Sequence, residues 1–531
     1  MFWNTTLSQG RAARIVAVAS LILGVFASLA SADGPTVDPR VVIARGNGYP
    51  APDRLEPVWE VDLAAAQDWA IAVFHQGFEI PKRVAYSVGW YDAQEQAWQW
   101  DPNNYEQQVP APEGGGHTWD PSVAADPDSG DFIAVAMGSG ERYAVLFSTL
   151  DPNYPDPRFK PWDVLADRSA EGQEADKPWI ITGQQTTYGR EFYVVWCVDK
   201  PGAGDPPGFA YARTVDGGQH WTAEPNMPIR VNGERVLGGW CAQHATVPGN
   251  PEAPIYVAYR AAGNSFRFLK GVDVDTDLPA NPRVSFVQLT TGIMPGNRAN
   301  GRPGLFPLEL SLHAGKLDDY VPSPVRCLYV PYVLADPTDP GRLFIVYHDT
   351  VVENPVPPDP NDPNDPNDID VDVFIRVITH VVGSNWLLGD PVRVNQDTKD
   401  PDHPADQFIP AATIDALGRV HVSFYDDRNY PTQHDEMSDV GPVFDVYYAL
   451  GIFDAGTGGW SWEEVKLDAA PGGEPALDTA LWYDGTREYH GIVHYGTGGR
   501  DEVLTAYTGT DPNEPGNFKA VIYSNRITDL P

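Results

Sequence analysis

Cysteine is scarce in this chain of 531 residues: there are three, Cys197, Cys241 and Cys327. An odd and small number excludes a disulfide framework, and no zinc-type spacing is present. All three sit in apolar, strand-like segments, which suits buried thiols. Basic side chains are also few. Lys and Arg total 36 against 73 Asp and Glu, a formal charge of −37. Such a surface repels polyanions at long range, which excludes nucleic acid as a partner and disfavours an anionic lipid surface. No apolar run after the first 26 residues is long enough to span a membrane. There is no Gly-rich phosphate loop, no G-x-S-x-G elbow and no H-E-x-x-H. His117, His220, His348, His421 and His490 are scattered singly and form no recognisable ligand pair.

The N-terminus carries a targeting pattern. Arg11 and Arg14 precede the apolar stretch 15–26, and Ala30-Ser31-Ala32 offers a cleavage site before Asp33. Residues 1–32 therefore read as a secretory signal peptide, with an uncleaved anchor as the alternative. No Cys follows the apolar run, so a lipid anchor is not expected. The mature chain, 33–531, is expected to be secreted or periplasmic, with a formal charge of −39 once Arg11 and Arg14 are gone.

What the chain has in abundance is turns. It contains 50 Gly and 51 Pro, and 11% of its residues are aromatic, a composition suited to many short strands. Strand-like segments recur in groups of four. Seven such units can be counted, opening near Glu56, Pro121, Asp176, Gly239, Cys327, Asp406 and Ala476. Four strands at this period predict an all-β β-propeller, seven-bladed, with six blades as the alternative. The stretch Val41–Arg45 precedes the first unit and can pair with the last blade to close the ring, leaving no exposed sheet edge. Gly/Pro/Asn-rich insertions interrupt the pattern near 288–325 and 353–370, the second holding the Asp-Pro-Asn repeats of 359–368.

One octapeptide is specific in its spacing: Thr214-Val215-Asp216-Gly217-Gly218-Gln219-His220-Trp221. Asp216 can bond amides of its own turn, the glycines supply positive φ, and Trp221 can fold back beneath it. Asp92 with Trp98 and Asp454 with Trp460 are stretched versions. Thr214, Asp216, Gly218 and Trp221 match the Asp-box, S/T-x-D-x-G-x-x-W. Together with Asp176-Lys-Pro-Trp179 and the polar strand end Tyr425-Asp426-Asp427-Arg428, they resemble bacterial exported proteins of the sialidase/BNR-repeat superfamily. The likeness extends over roughly residues 41–528.

The resemblance implies a sialidase-like propeller in one domain, 33–531. It also implies a site where arginines clamp a carboxylate, a Tyr acts as nucleophile and an Asp as acid/base. Residues at strand ends converge near the channel of a propeller, so Tyr425, Asp426 and Asp427 are the candidate catalytic residues, with a structural turn in which Asp pairs with Arg as the alternative. Arg260, Arg428 and Trp179 are the candidate substrate contacts. The R-I-P or R-L-P tripeptide that carries one clamp arginine in sialidases is not in this chain; Arg45 and Arg54 stand near its place without the context. The expected function is thus a module that binds an extracellular glycan or protein, with a sialidase-like exo-glycosidase as the alternative. No cofactor is called for. Asp273, Asp275 and Asp277, and likewise Asp368, Asp370 and Asp372, alternate as carboxylates that could hold calcium or form a solvated acidic edge.

Overall fold

A computed structural model describes residues 34–45, 58–77, 83–100, 107–111, 116–139, 144–151, 158–167, 174–199, 208–222, 227–237, 242–246, 255–261, 265–274, 279–280, 282–294, 304–312, 330–350, 370–382, 385–398, 405–429, 443–467, 477–478, 489–496, 500–510 and 520–530. Residues 1–32, expected to be a signal peptide, and Cys241, Cys327, the Asp-Pro-Asn repeats, Arg54, Asp275, Asp277 and Asp368 lie outside these residues.

Seven sheets, antiparallel through their successive blade strands, form the blades of a β-propeller. The innermost strands are Val58–Ala66, His117–Ala125, Glu174–Gln185, Ala242–Ala245, Tyr332–Ala335, Gln407–Ile414 and Gly491–Tyr495. Each packs against the next and the seventh against the first, so the ring has seven blades and not six. From each innermost strand the chain steps outward through antiparallel neighbours. In blade one, for example, it continues through Trp69–Gln76, Arg83–Asp92 and Ala97–Trp100. Among the described residues there is no helix, and hence none long and apolar enough to cross a membrane.

Second strands are buried on both faces and read as near-continuous apolar runs, such as Phe192–Val198 in blade three. One face of each packs on the blade before and the other on the blade after. Between blades three and four this builds a core of Tyr193, Val195, Phe209, Tyr211, Ile255, Val257 and Tyr259. Burying each of these side chains contributes about 1.5–3 kcal/mol.

Blade seven is assembled from both ends of the chain. Gly491–Tyr495, Glu502–Thr510 and Ala520–Thr528 are completed by Val41–Arg45, which pairs Val41 with Ser524 and Arg45 with Val521. The closing strand expected from the sequence is in place. Leu477–Asp478, expected within the opening strand of the seventh unit, instead pairs with Val443–Phe444 at the edge of blade six. The reason is that the N-terminal strand already fills the outer edge of blade seven. The stretch after 288 also differs from a plain loop. Thr290–Met294 and Gly304–Pro307 form a hairpin, and Glu309–Ser311 pairs with Ser265–Asp273 of blade four.

The Thr214–Trp221 turn lies between the third and fourth strands of blade three. Thr214 Oγ1 donates to Asp216 Oδ1 (2.8 Å) and accepts from Gly218 N–H (3.1 Å), while Asp216 Oδ1 accepts from His220 N–H (2.9 Å). Gly217 and Gly218 adopt φ of 71° and 87°. Trp221 pairs with Thr214 and lays its ring against Phe147 of blade two, 5.4 Å between centroids. The turn therefore clips two blades together, on the face opposite the strand ends discussed next. Asp92 and Asp454 fold their own turns at the same place in blades one and six.

Candidate functional site

All seven innermost strands run in one direction and line a central channel, a cavity of about 610 Å³. Its middle is apolar, with Leu63, Val123, Ile180, Ala245, Val333, Leu334 and Ile492 on the wall. Polar side chains gather at its ends: Asp62, Gln243 and His490 where the strands begin, Thr182, Thr246, Thr413 and Asp415 where they finish.

The beginning of these strands is irregular in a repeated way. Register shifts occur between Trp59 and Asp62, Trp119 and Ser122, Asp176 and Trp179, and Phe408 and Ala411. Inside each bulge a non-glycine residue is left-handed: Glu60 (φ 53°), Asp120 (49°), Lys177 (48°) and Ile409 (47°). A conformation of this kind costs about 1–3 kcal/mol and re-aims the side chains around it. Three of the four precede proline, Pro121, Pro178 and Pro410, which needs no ladder partner for an N–H it lacks. That recurring X-Pro at the head of a first strand is the sequence signal from which the bulges could have been read.

The bulges draw charge and aromatic rings to one end of the channel. Lys177 Nζ lies 3.6 Å from Asp120 Oδ2 and 3.9 Å from Asp176 Oδ1. Glu60 faces His75 at 3.6 Å. Trp179 of blade three meets Tyr489, which leads into blade seven, at 5.3 Å and Tyr332 of blade five at 6.1 Å, both edge to face. Tyr489 donates its hydroxyl to Pro121 O of blade two (2.9 Å). Blades three, five and seven are not neighbours in the ring, so these rings meet across the axis and close the channel at this end.

Beside this aromatic closure lie three buried titratable groups. The Asp62 carboxylate accepts from Ser122 Oγ (2.8 Å), Val123 N–H (2.9 Å) and Leu63 N–H (2.9 Å). Burial outweighs those bonds and pushes its pKa up to about 6. His490 shares a hydrogen bond with Ser423 Oγ (2.7 Å), and His244 one with Tyr193 O (3.1 Å). Burial depresses His490 to about 3 and His244 to about 4, so both imidazoles are neutral.

Of the six candidate residues read from the sequence, Trp179 alone lines this channel. Tyr425 is 2% exposed, and its hydroxyl donates to Thr508 O (3.0 Å) and accepts from Thr508 N–H (3.1 Å). It pins blade six to blade seven, and burial holds its pKa above the usual tyrosine range. A hydroxyl committed in this way is not presented to a substrate as a nucleophile. Asp426 is fully buried and bound by Arg428 through Nε (2.7 Å) and the backbone N–H (2.8 Å); burial raises its pKa to about 6 against that pairing. Asp427 closes the head of the neighbouring strand by accepting from Asp406 N–H (2.8 Å). Arg428 is shared between Asp426 and Glu464 and lies 4.0 Å over the Tyr447 ring. Its guanidinium is thus held within its own blade. Arg260 ends the second strand of blade four and is half-buried. No arginine is among the described residues that line the channel, so no carboxylate clamp forms there.

The alternating carboxylates are engaged where they can be described. Asp273 pairs with Arg213 (3.2 Å), which also holds Glu191, and Asp372 accepts from Asn395 Nδ2 (2.6 Å).

No family model matches the chain, and no curated protein matches it. Solved structures resemble it distantly. A protein of unknown function from Dyadobacter fermentans shows 10% identity and a TM-score of 0.38, covering 93% of this chain and 99% of that one. A fucose-specific lectin from Aleuria aurantia shows 10% identity and a TM-score of 0.36, with 79% and 97% covered. A Hadza microbial sialidase shows 10% identity and a TM-score of 0.34, with 69% and 63% covered. At these values the likenesses carry no argument about function.

Proposed function

We propose that this chain is an exported binding propeller that captures an extracellular glycan at the bulged end of its channel without hydrolysing it. The observation that carries this reading is the set of left-handed residues Glu60, Asp120, Lys177 and Ile409. Within strands, these are the non-glycine residues of positive φ among those described. Strain repeated at one end of four blades is retained where the arrangement it produces is used. What it produces is the pair Asp120 and Lys177 beside Trp179, a combination suited to sugar hydroxyls and to the apolar face of a sugar ring. The strongly acidic chain favours a neutral or amino sugar over a sialylated one. The sialidase alternative has, among the described residues, no clamp arginine on the channel wall and no accessible hydroxyl at Tyr425 to support it.

The test uses the mature chain, 33–531, on an array of neutral, amino and sialylated oligosaccharides, followed by titration of tryptophan fluorescence. Lys177→Ala and Asp120→Asn are expected to weaken binding at least tenfold with the circular dichroism unchanged. A fluorogenic sialoside is expected to stay intact. Turnover of that sialoside, or glycan binding that both variants leave untouched, would overturn the reading.

A further inference from the structure

At the other end of the channel, three side chains that are far apart in sequence converge on the seam between blades six and seven. Asp415 begins the turn that follows Gln407–Ile414 and lines the channel. His421 lies on Val420–Asp426, and His494 on Gly491–Tyr495. One donor atom from each lies within 4.8 Å of the other two. We propose that Asp415, His421 and His494 form a site for a divalent transition ion of the zinc class.

The donor spacing supports it. His421 Nε2 stands 3.4 Å from Asp415 Oδ2, too far for a strong hydrogen bond, and has no hydrogen-bond partner although the residue is fully buried. A tetrahedral zinc ion about 2.0–2.1 Å from each donor separates them by roughly 3.4 Å. One nitrogen of each imidazole has an outer partner: His421 Nδ1 with the Tyr448 hydroxyl (2.7 Å), and His494 Nε2 with Asp501 Oδ1 (2.7 Å). Outer partners of this kind fix the ring and raise the basicity of the ligating nitrogen. The two ring planes are within 12° of parallel, their centroids 5.4 Å apart. Gly496 makes room for one of them, since a Cβ there would sit 2.9 Å from His494 Cε1.

Charge and burial agree with the geometry. Two carboxylates, Asp415 and Asp501, face one guanidinium, Arg419, which bonds both of them. The carboxylates thus outnumber the guanidinium around the two imidazoles. The fold does not need the imidazoles for its turn. In blade five, Asp336 and Arg342 make the same Asp–Arg pair at 2.7 Å, with Phe344 where His421 stands. A fourth coordination position is left for water or for a group entering from the channel.

The experiment uses the untagged mature chain, stripped with a chelator and titrated with Zn²⁺ by calorimetry and with Co²⁺ by visible absorption. One equivalent is expected to bind, with the intense ligand-field band of tetrahedral cobalt and a raised melting temperature in the presence of Zn²⁺. His494→Ala, at a partly exposed position, is expected to abolish the band and weaken binding at least a hundredfold. Asp501→Asn, which disturbs an outer partner only, is expected to weaken binding by about 10–100-fold. Absence of stoichiometric binding to the folded wild-type chain would refute the site. So would a His494→Ala variant that binds cobalt with an unchanged spectrum.

Discussion

Replacing Tyr425 by Phe separates a structural hydroxyl from a catalytic one. The ring would stay, with its stacking on Phe408 (6.0 Å) and its edge contact with His490 (5.4 Å). Only the hydroxyl would go, and with it both bonds to Thr508. Thr508 lies two residues past Ala506, where the ladder with the innermost strand of blade seven ends at Gly491. The Tyr425 hydroxyl therefore takes the place of a missing strand. Without it, a buried N–H and a buried C=O lose their partner on that side. Two such bonds contribute about 1 kcal/mol each, and leaving the groups unpaired adds to that, for a loss of about 2–4 kcal/mol. Urea unfolding followed by tryptophan fluorescence would show it as a lower midpoint with the slope unchanged. Glycan binding should be unaffected. A variant as stable as the wild type, but with ligand binding or turnover lost, would refute the reasoning and return Tyr425 to the active groups.

Two more perturbations follow from close contacts and buried charge. A Cβ at Gly491 would lie 2.7 Å from Leu63 N and 2.8 Å from Leu63 Cβ, so Gly491→Ala forces apart the seam where the ring closes. Backbone cannot yield by changing rotamer, and a loss of about 1–3 kcal/mol in urea unfolding is expected. The channel groups make stability depend on pH in two opposed ways. His490 is depressed from 6.5 to about 3 and His244 to about 4, so the native state resists protonation that the unfolded chain accepts. Their contribution is complete above pH 6.5 and is lost as the pH falls toward those values. Asp62 is raised from 3.8 to about 6, so it favours folding below about pH 4 and that advantage is lost by about pH 6, a difference of about 3 kcal/mol. Midpoints measured from pH 4 to 8 should fall more steeply in acid for Asp62→Asn than for the wild type, and less steeply for His490→Asn.

Much of the fold was legible before any coordinates. The seven-unit count and the closing role of Val41–Arg45 came from apolar runs separated by Gly, Pro and Asp turns, and the blades follow them. Leu477–Asp478 reads as part of the seventh unit yet joins blade six, because a short strand carries no mark of which edge it joins. The site was less legible. Tyr425-Asp-Asp-Arg428 reads alike whether it faces a ligand or seals a seam, and exposure decides between the two. His421 reads as a single histidine because its partner, His494, stands on the next blade.

Local structure follows from the sequence alone: strand against turn, the blade period, the Thr214–Trp221 clip and the excess of negative charge. Those follow from side-chain alternation, backbone sterics and composition, all of which act over a few residues. Closing the ring decided the rest. It brought Trp179, Tyr332 and Tyr489 together across the axis, buried Asp62, His244 and His490 on the channel wall, and set His421 beside His494. Contacts between blades join residues from distant parts of the chain, and their burial sets the protonation states; no local pattern encodes either.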